Sequence, residues 1–249
     1  MTLLRRLWRL FLLLSFLLLG VLLTLVMLPD MHDGIPGKRV QKIRRWWYQC
    51  LLRALKVEIE QVGHPIDQPA LWVANHISWL DIPLLGSLGL LGFLSKAEIR
   101  HWPVIGWLAG STGTLFIERG GKNASQIASK YIAEHINRGH SILVFPEGKT
   151  TRGATVERFH ARLFAPAIDH GLMVQPVVIR YFHDDGKVHQ ILPFVDHEPF
   201  FGNLWKVLGE KRILATVVFL EAVNAADFSE RRRLAEHVHA KVLEAFNRG

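Results

Sequence analysis

The sequence predicts an α/β fold, with a mostly parallel sheet flanked by helices, that follows an N-terminal membrane-docking helical segment. From residue 57 onward, short apolar runs alternate with segments of helical periodicity, and this alternation is typical of a parallel sheet covered by helices. Before it, the run from Leu10 to Leu28 contains no charged residue. As a helix it would be about 28 Å long, close to the ~30 Å hydrocarbon core of a bilayer. We therefore predict a membrane anchor with an interfacial helix over residues 1–56 and an α/β domain over residues 57–249.

The composition narrows the class of partner. Apolar residues make up 49% of the 249 residues, enough for one packed core, and the formal net charge is +8. A basic balance favours nucleic acid, phosphorylated small molecules or anionic lipid, and the apolar N-terminus favours lipid among these. Cys50 is the sole cysteine, so an internal disulfide is excluded. The sequence contains no CxxC pair, no HExxH pattern and no nucleic-acid-binding motif, so we predict neither a metal site nor a nucleic-acid partner.

The N-terminal apolar run is predicted to remain part of the chain. Arg5, Arg6 and Arg9 precede it, and it ends without the small-residue pattern of a cleavage site. Further basic residues follow it, between Lys38 and Arg45. Positive charge on both flanks argues against a simple transmembrane span.

Residues 41–56 have the pattern of an interfacial helix. Trp46, Trp47 and Tyr48 are expected at the level of the lipid headgroups, with the neighbouring basic residues facing anionic lipid. This helix and the apolar run would then form a helical hairpin that dips into one leaflet. A plain transmembrane span and a surface helix packed on its own domain stay open as alternatives.

Seven strands and five helices are predicted within the α/β domain. Strands are expected where the runs are short, apolar and often β-branched, at residues 57–62, 70–74, 92–95, 114–117, 141–145, 174–180 and 213–220. Helices are expected at residues 82–91, 99–108, 124–137, 162–170 and 228–246. Residues 183–205 are expected to be rich in loops, because Pro193, Pro199 and an Asp-Asp-Gly turn interrupt them.

The first candidate catalytic motif is NHISWLD, residues 75–81, directly after a predicted strand. In α/β proteins, ligands bind beyond the carboxyl ends of the strands. Asp81 is placed to start a helix and to accept a hydrogen bond from the imidazole of His76, which leaves the other ring nitrogen free to take a proton from a hydroxyl. The sequence has no GxSxG elbow, so we expect the substrate's own hydroxyl to be the nucleophile. The alternative is a structural histidine that only bonds a turn.

Two further strand ends carry basic residues. The segment GTLFIERG, residues 113–120, places Arg119 at the end of a predicted strand beside glycines, and Lys96 follows the strand at residues 92–95. An arginine in this position can hold a phosphate through two parallel hydrogen bonds. An ordinary surface role for either cation is the alternative.

The segment FPEGKTTRG, residues 145–153, again follows a predicted strand. Gly148 and Lys149 are similar to part of a P-loop, but Leu143 stands where the first glycine of that motif is required, so nucleotide binding is excluded. The loop can still hold a phosphate through Lys149, Arg152 and backbone donors. A fourth segment, VQPVVI at residues 174–179, is expected to be structural.

In this order, the four segments resemble the glycerolipid acyltransferase family, whose bacterial type is 1-acyl-sn-glycerol-3-phosphate (lysophosphatidic acid) acyltransferase. The family pattern N-H-x4-D, G-x-x-F-I-x-R, F-P-E-G-x-x-S/T-R and V-x-P-V is matched over about residues 71–180. The resemblance implies that residues 57–249 form an acyltransferase domain. It also implies His76 as the general base and Asp81 as its orienting partner.

The resemblance further implies a set of substrate-binding residues. Arg119, Glu147 and Gly148 would bind the glycerol phosphate of the acceptor, with Lys96 and Arg152 as additional phosphate contacts. Lys149 departs from the family, because many members have Thr or Ser after FPEG. This departure leaves the headgroup of the acceptor open.

The implied reaction moves an acyl group from acyl-CoA or acyl carrier protein to the sn-2 hydroxyl of 1-acyl-glycerol-3-phosphate, forming phosphatidic acid in phospholipid biosynthesis. It needs no cofactor and no metal. The implied partners are a lysophospholipid, an acyl thioester, membrane lipid and, as one candidate donor, acyl carrier protein. Activated acyl donors are made in the cytoplasm, so we expect the protein at the inner membrane with its active site facing the cytoplasm. Acylation of another lysolipid, such as lyso-ornithine lipid, and a non-catalytic membrane-binding protein with the same fold are the alternatives.

Overall fold

A computed structural model describes residues 2–27, 31–32, 35–118, 124–195 and 198–248 of the chain. The N-terminal part contains the helix α1 (Thr2–Met27), the short antiparallel strands β1 (Met31–His32) and β2 (Ile35–Pro36), and the helix α2 (Lys38–Ala54). The domain that follows is built from β3 (Val57–Val62), β4 (Leu71–Ala74), α3 (Asp81–Leu88), β5 (Leu91–Lys96), α4 (Ile105–Ser111), β6 (Leu115–Ile117), α5 (Ala124–Asn137), β7 (Ser141–Val144), α6 (Ala165–His170), β8 (Met173–Phe182), α7 (Phe200–Val207), β9 (Ile213–Phe219), β10 (Val223–Asn224) and α8 (Arg231–Asn247).

The strands of the domain form one eight-stranded sheet in the order β3-β9-β8-β4-β7-β5-β6, and β10 also pairs with β8. All neighbouring pairs are parallel except β8 with β9 and β8 with β10. The central strands β4 and β7 are almost wholly buried, as expected for parallel strands covered on both faces. The predicted mostly parallel sheet flanked by helices is confirmed.

Two layers of helices cover the two faces of this sheet. On one face, leucines of α2, α3 and α7 pack with Trp72 and Ala74 of β4 and with the odd-numbered residues of β8. On the other face, α5, α6 and α8 pack against Leu71 and Val73 of β4. Side chains alternate along β4 and β8 because successive residues of a strand point to opposite faces. The face under α2, α3 and α7 is the one that carries the site described below.

Helix boundaries differ from the prediction where prolines stand inside the expected helices. Residues 97–101 form a 3-10 turn and α4 starts only at Ile105, because Pro103 has no amide proton and restricts the residue before it. A 3-10 turn likewise precedes α6, which has Pro166 in its first turn. The segment 183–205, expected to be loop, ends in the unpredicted helix α7, and Pro199 is the residue just before its first turn. A proline that interrupts one element is also well suited to start the next.

The apolar helix α1 lies against the domain. Near its N-terminal end, Arg9 is 4% exposed and donates hydrogen bonds to the carbonyl oxygens of Leu208, Glu210 and Lys211, just after α7. Seven residues further along, the Phe16 carbonyl oxygen accepts a hydrogen bond of 2.9 Å from Trp47 Nε1 of α2. The opposite side of α1 exposes a row of large apolar residues: Leu4, Leu7, Phe11, Leu14, Leu18, Leu22 and Leu25. The helix is long and apolar enough to cross a membrane.

The basic and aromatic residues of α2 do not all lie where the interfacial pattern placed them. Trp46 is exposed, but Trp47 packs on α1 and Tyr48 packs edge-on against Phe93. Arg44 is buried and donates to the carbonyl oxygens of Thr112 and Leu91. Trp47, Tyr48 and Arg44 therefore do not lie at the headgroup level that the sequence predicted for them. The reason is that α2 packs between α1 and the domain. The boundary predicted at residue 56 stays a prediction.

Candidate active site

His76 and Asp81 come together at the carboxyl end of β4. The strand ends at Ala74, and Asp81 is the first residue of α3, so the four residues between His76 and Asp81 fold back as a tight loop. His76 Nδ1 lies 2.7 Å from Asp81 Oδ2. The same oxygen accepts the backbone N–H groups of Ile77 and Ser78, at 2.7 and 2.9 Å. With Nδ1 donating to the carboxylate, the other ring nitrogen of His76 is left as a proton acceptor.

The backbone of His76 is held on both sides by the loop after β7. Its N–H donates to Glu147 Oε1 at 2.6 Å, and its carbonyl oxygen accepts the N–H of Thr151 at 2.8 Å. The ring of Phe145 stacks on the imidazole with centroids 3.9 Å apart and planes 12° apart. These contacts restrict His76 to one position and leave its side chain 17% exposed toward the cavity.

Both carboxylate oxygens of Glu147 accept backbone hydrogen bonds from within the protein. Its side chain is 3% exposed, and its second oxygen, Oε2, accepts the backbone N–H of Glu157 at 2.9 Å. Burial raises the pKa of Glu147 to about 7, although the hydrogen bonds from the Glu157 and His76 backbone lower it. In the structure Glu147 bridges two loops, one of which carries His76. The contact with the acceptor implied by the family resemblance stays a prediction.

The structure brings some of the predicted cations to the site. Gly148, Lys149 and Lys96 line one cavity together with His76. Lys149 also forms an ion pair of 3.5 Å with Glu157, both side chains being half exposed. Arg152 is exposed on the same loop, outside the residues that line the cavity. Arg119 lies outside the described residues.

The cavity beside His76 has a volume of about 730 Å³ and runs from the polar loop into an apolar interior. Its polar end contains His76, Lys149 and Arg162. Its apolar part is lined by side chains of α1, α2, α3, α4 and α7, among them Leu13, Leu17, Trp47, Ile82, Leu108 and Leu204. Such a cavity joins a proton acceptor to a space suited to hydrocarbon. A second concavity of about 770 Å³, between α5, α6 and the start of α8, contains none of the predicted site residues.

Two contributors to the site were not found from the sequence. Arg162 lines the cavity from the 3-10 turn before α6, and nothing in its sequence neighbourhood distinguishes it from a surface arginine. Tyr181 of β8 donates its hydroxyl to Asp81 Oδ1 at 2.7 Å. It follows the fourth motif by two residues, so only the alternation along β8, which points it to the same face as Val177 and Ile179, could have indicated it.

Outside this site, the described residues include a cluster with the spacing of metal ligands. His183, His189 and Glu210 bring their ligand atoms within 4.8 Å of one another. The two rings are stacked, with centroids 3.9 Å apart, so an ion between them cannot lie in the plane of both. The backbone N–H of Leu192 donates to His189 Nδ1 at 3.2 Å, whereas a metal-bound histidine normally donates from that second nitrogen. Burial lowers the pKa of His189 to about 4. Glu210 Oε2 lies 3.6 Å from His183 Nδ1 and 3.5 Å from His189 Nε2, and this geometry fits a carboxylate beside two stacked imidazoles better than a metal site.

Comparison with known proteins places this geometry in context. Residues 54–180 match the family model described as Acyltransferase. A lyso-ornithine lipid O-acyltransferase of Pseudomonas aeruginosa is 42% identical over 213 residues, which cover 83% of this chain and 82% of that protein. A 1-acyl-sn-glycerol-3-phosphate acyltransferase of Neisseria meningitidis is 31% identical over 195 residues, or 77% of this chain and 76% of that protein. The crystal structure of the 1-acyl-sn-glycerophosphate (LPA) acyltransferase PlsC from Thermotoga maritima has a TM-score of 0.75 at 22% identity, covering 99% of this chain and 95% of that one, a likeness of fold.

Proposed function

Because this chain belongs to the acyltransferase family and is an enzyme that acylates lysolipids, we propose that its acceptor is a lyso-ornithine lipid. The observation that carries this choice is the 42% identity to a lyso-ornithine lipid O-acyltransferase along 83% of the chain, against 31% to a relative that acts on 1-acyl-sn-glycerol-3-phosphate. The four sequence motifs are common to the family, so they leave both acceptors open, and lyso-ornithine lipid is the alternative to 1-acyl-glycerol-3-phosphate in the sequence analysis.

The polar end of the cavity is compatible with a zwitterionic headgroup. Ornithine linked through one amine keeps a carboxylate and an ammonium group and has no phosphate. Lys96 and Lys149 line the cavity as cations, and Glu118 lines it as an exposed carboxylate. A carboxylate and an ammonium each bind best to an opposite charge at hydrogen-bond distance. This charge pattern supports a lyso-ornithine headgroup without requiring a phosphate.

The proposed mechanism is direct acyl transfer with His76 as the base. The imidazole nitrogen that faces the cavity takes the proton of the acceptor hydroxyl as the oxygen attacks the carbonyl carbon of the thioester. Asp81 stabilises the imidazolium through Nδ1. When the carbon–sulfur bond breaks, the imidazolium returns the proton to the departing thiolate. The products are the ester and the free thiol of the carrier, so no group on the protein is consumed and no cofactor is required.

The apolar part of the cavity gives the hydrocarbon chains a place beside the base. Leu13 and Leu17 of α1 line it from the side of the helix that faces the domain, and the opposite side of α1 exposes apolar residues to the exterior. Acceptor and product are both bilayer lipids, so the mouth of the cavity must open at a leaflet surface. We place the enzyme at the inner membrane facing the cytoplasm, where acyl-CoA and acyl carrier protein are made, with α1 and α2 docked in that leaflet.

A second acceptor, 1-acyl-glycerol-3-phosphate, remains a candidate. The observation that favours it is that three cations, Lys96, Lys149 and Arg162, line the cavity, and that the exposed Arg152 lies on the same loop as Lys149. A phosphate would bind such a group through charge-assisted hydrogen bonds. Phosphatidic acid would then be the product.

An acceptor panel tests the proposal. Purified full-length protein in nanodiscs is given one labelled acyl chain, as acyl-CoA and as acyl carrier protein thioester, with lyso-ornithine lipid or 1-acyl-glycerol-3-phosphate at equal surface density. A higher kcat/KM for lyso-ornithine lipid, abolished in His76→Ala, is expected. A higher kcat/KM for the phosphate acceptor would assign the second candidate instead. Thioester hydrolysis without transfer to either lipid would contradict both.

A further inference from the structure

Tyr181 contacts the catalytic pair from β8, a strand that extends beyond the end of β4. β8 runs parallel to β4, with Val177 opposite Ala74, so Tyr181 lies four residues beyond the end of β4. Asn75 joins the two strands there, since its side chain accepts the Ile179 N–H at 2.8 Å and donates to the Ile179 carbonyl at 2.9 Å. The phenol is 3% exposed and packs in the core on the side of α3. Its position is therefore fixed by the sheet and not by the loop that carries His76.

The hydroxyl of Tyr181 completes the bonding of the Asp81 carboxylate. Asp81 Oδ2 accepts from His76 Nδ1 and from two backbone N–H groups, whereas Oδ1 accepts from the Tyr181 hydroxyl at 2.7 Å. Asp81 is 0% exposed. Burial, and after it the charge of Asp81, raise the pKa of Tyr181 well above its usual value, so the phenol stays a donor. Without the Tyr181 hydroxyl, Asp81 Oδ1 would be a buried acceptor without the hydrogen bond that it has here.

We propose that Tyr181 is a positioning residue of the catalytic pair, which sets how strongly Asp81 attracts the proton of the His76 imidazole. A hydrogen bond from a hydroxyl draws negative charge away from the carboxylate oxygen facing the ring, and it favours the carboxylate over the acid. Removing the bond leaves a carboxylate that holds the imidazolium more tightly. The base is then kept protonated up to a higher pH. Tyr181 does not touch the substrate, and the proposal rests on the proposed role of His76 as base.

The other charged or titratable groups described around the pair stay the same in a variant that changes only Tyr181. Glu147 faces Asp81 from the loop after β7, and their charges interact. The charged or titratable residues that line the cavity with His76 are Arg44, Tyr48, Lys96, Glu118, Lys149, His160 and Arg162. None of these contacts the Tyr181 hydroxyl, whose partner is Asp81. A change confined to that hydroxyl therefore reports on Tyr181 alone.

Two matched variants remove the same atom at different places. Tyr181→Phe deletes the hydroxyl bonded to Asp81, and Tyr131→Phe deletes a largely buried hydroxyl bonded to the Gly113 carbonyl, away from the pair. We expect the acid limb of the pH profile of kcat/KM to move up by about 0.5–1 unit in Tyr181→Phe, so that activity below the midpoint falls roughly 3–10-fold and recovers at higher pH. Tyr131→Phe should leave the limb in place. Superimposable limbs for Tyr181→Phe and the parent, or an equal loss at every pH in both variants, would overturn the proposal.

A second measurement keeps this inference separate from the identity of the acceptor. The ¹⁵N signals of the His76 ring, assigned by their absence in His76→Ala, are followed with pH in the full-length protein without substrate. Their titration midpoint should be higher in Tyr181→Phe than in the parent and unchanged in Tyr131→Phe. If no lysolipid is acylated at all, the proposed function fails, but this titration still decides on Tyr181. An unchanged midpoint in Tyr181→Phe would reject its role whatever the acceptor is.

Discussion

Asp81 Oδ2 lies 2.7 Å from His76 Nδ1 and, through that one contact, assigns the two ring nitrogens different tasks. Nδ1 donates to a carboxylate that is fully buried, and the other nitrogen faces the cavity as an acceptor. The relationship depends on chain geometry, because the first residue of α3 is held over the end of β4 by a loop whose amide groups bond the same carboxylate.

Removing either member of the pair should abolish most turnover. His76→Ala removes the base, and a positioned histidine contributes about 10²–10⁴-fold to such a reaction. Asp81→Asn keeps the shape of the side chain but removes the charge that stabilises the imidazolium, so kcat should also fall by about 10²-fold or more. Both are measured as kcat with saturating donor and acceptor, after circular dichroism has established folding. Near-parental turnover in folded His76→Ala would rule out the mechanism.

Most of the sheet could be predicted because its strands are short and bounded by turn residues, and because the central strands β4 and β7 are nearly continuous apolar runs. Residues 57–62 form β3 with the predicted bounds, and β4, β7 and β9 differ from the prediction by at most one residue at an end. Helix α7 was missed because Pro193, Pro199 and the Asp-Asp-Gly turn indicated a loop over residues 183–205. In the structure Asn203 is buried, accepting from Trp79 Nε1 and donating to loop carbonyls.

The sequence could identify which residues lie at the site, but not the direction in which each side chain points. The end of β4 locates His76 and Asp81 without the structure, since parallel strands present their carboxyl ends on one edge. The side chain of Glu147 instead turns into the protein, because the backbone N–H groups of His76 and Glu157 each donate to one of its two oxygens. That choice depends on contacts between residues 71 positions apart in the chain, which no local pattern records.

Substitutions of Glu147 and Arg152 should affect different kinetic constants, kcat for Glu147 and KM for the acceptor for Arg152. Glu147→Gln replaces one acceptor oxygen by an amide that cannot accept a backbone N–H, so the position of His76 is disturbed and kcat should fall with little change in either KM. Arg152→Ala removes an exposed cation on the loop that carries Lys149. If this cation binds the headgroup, KM for the acceptor should rise about tenfold with KM for the donor unchanged. Gln175→Ala, which removes buried hydrogen bonds far from His76, is the control for lost stability. A raised acceptor KM in Glu147→Gln would restore the headgroup role implied by the resemblance.

The buried carboxyl of Glu147 should also make stability depend on pH. Its pKa rises from an ordinary 4.5 to about 7 because burial disfavours the charged form. The folded protein therefore binds the proton more tightly than the unfolded chain. Its contribution to stability is complete below pH 4.5 and is lost as the pH rises through 7, by at most about 3 kcal/mol. Thermal unfolding at several pH values should show a fall from pH 5 to 8 in the parent that is smaller in Glu147→Gln. Parallel curves for the two proteins would contradict the shifted pKa.

The contacts of Arg9 predict how α1 lies in the membrane. Arg9 donates to three carbonyl oxygens after α7, and Trp47 donates to the Phe16 carbonyl oxygen, seven residues or about two turns further along α1. A helix tied to the domain near its N-terminal end and along its length cannot carry its first residues to the opposite side of a bilayer.

Cysteines are therefore introduced at position 2 of α1 and at the exposed Glu221, after Cys50→Ser has removed the native thiol. A membrane-impermeant thiol reagent should label Thr2→Cys and Glu221→Cys from the same side of sealed inverted vesicles. Arg9→Leu removes the hydrogen bonds that hold the start of α1, so it should lower the melting temperature. If α1 is re-entrant, both cysteines should still be labelled from the same side in this variant. Labelling of the two positions from opposite sides in the parent background would rule out the hairpin and leave a transmembrane span.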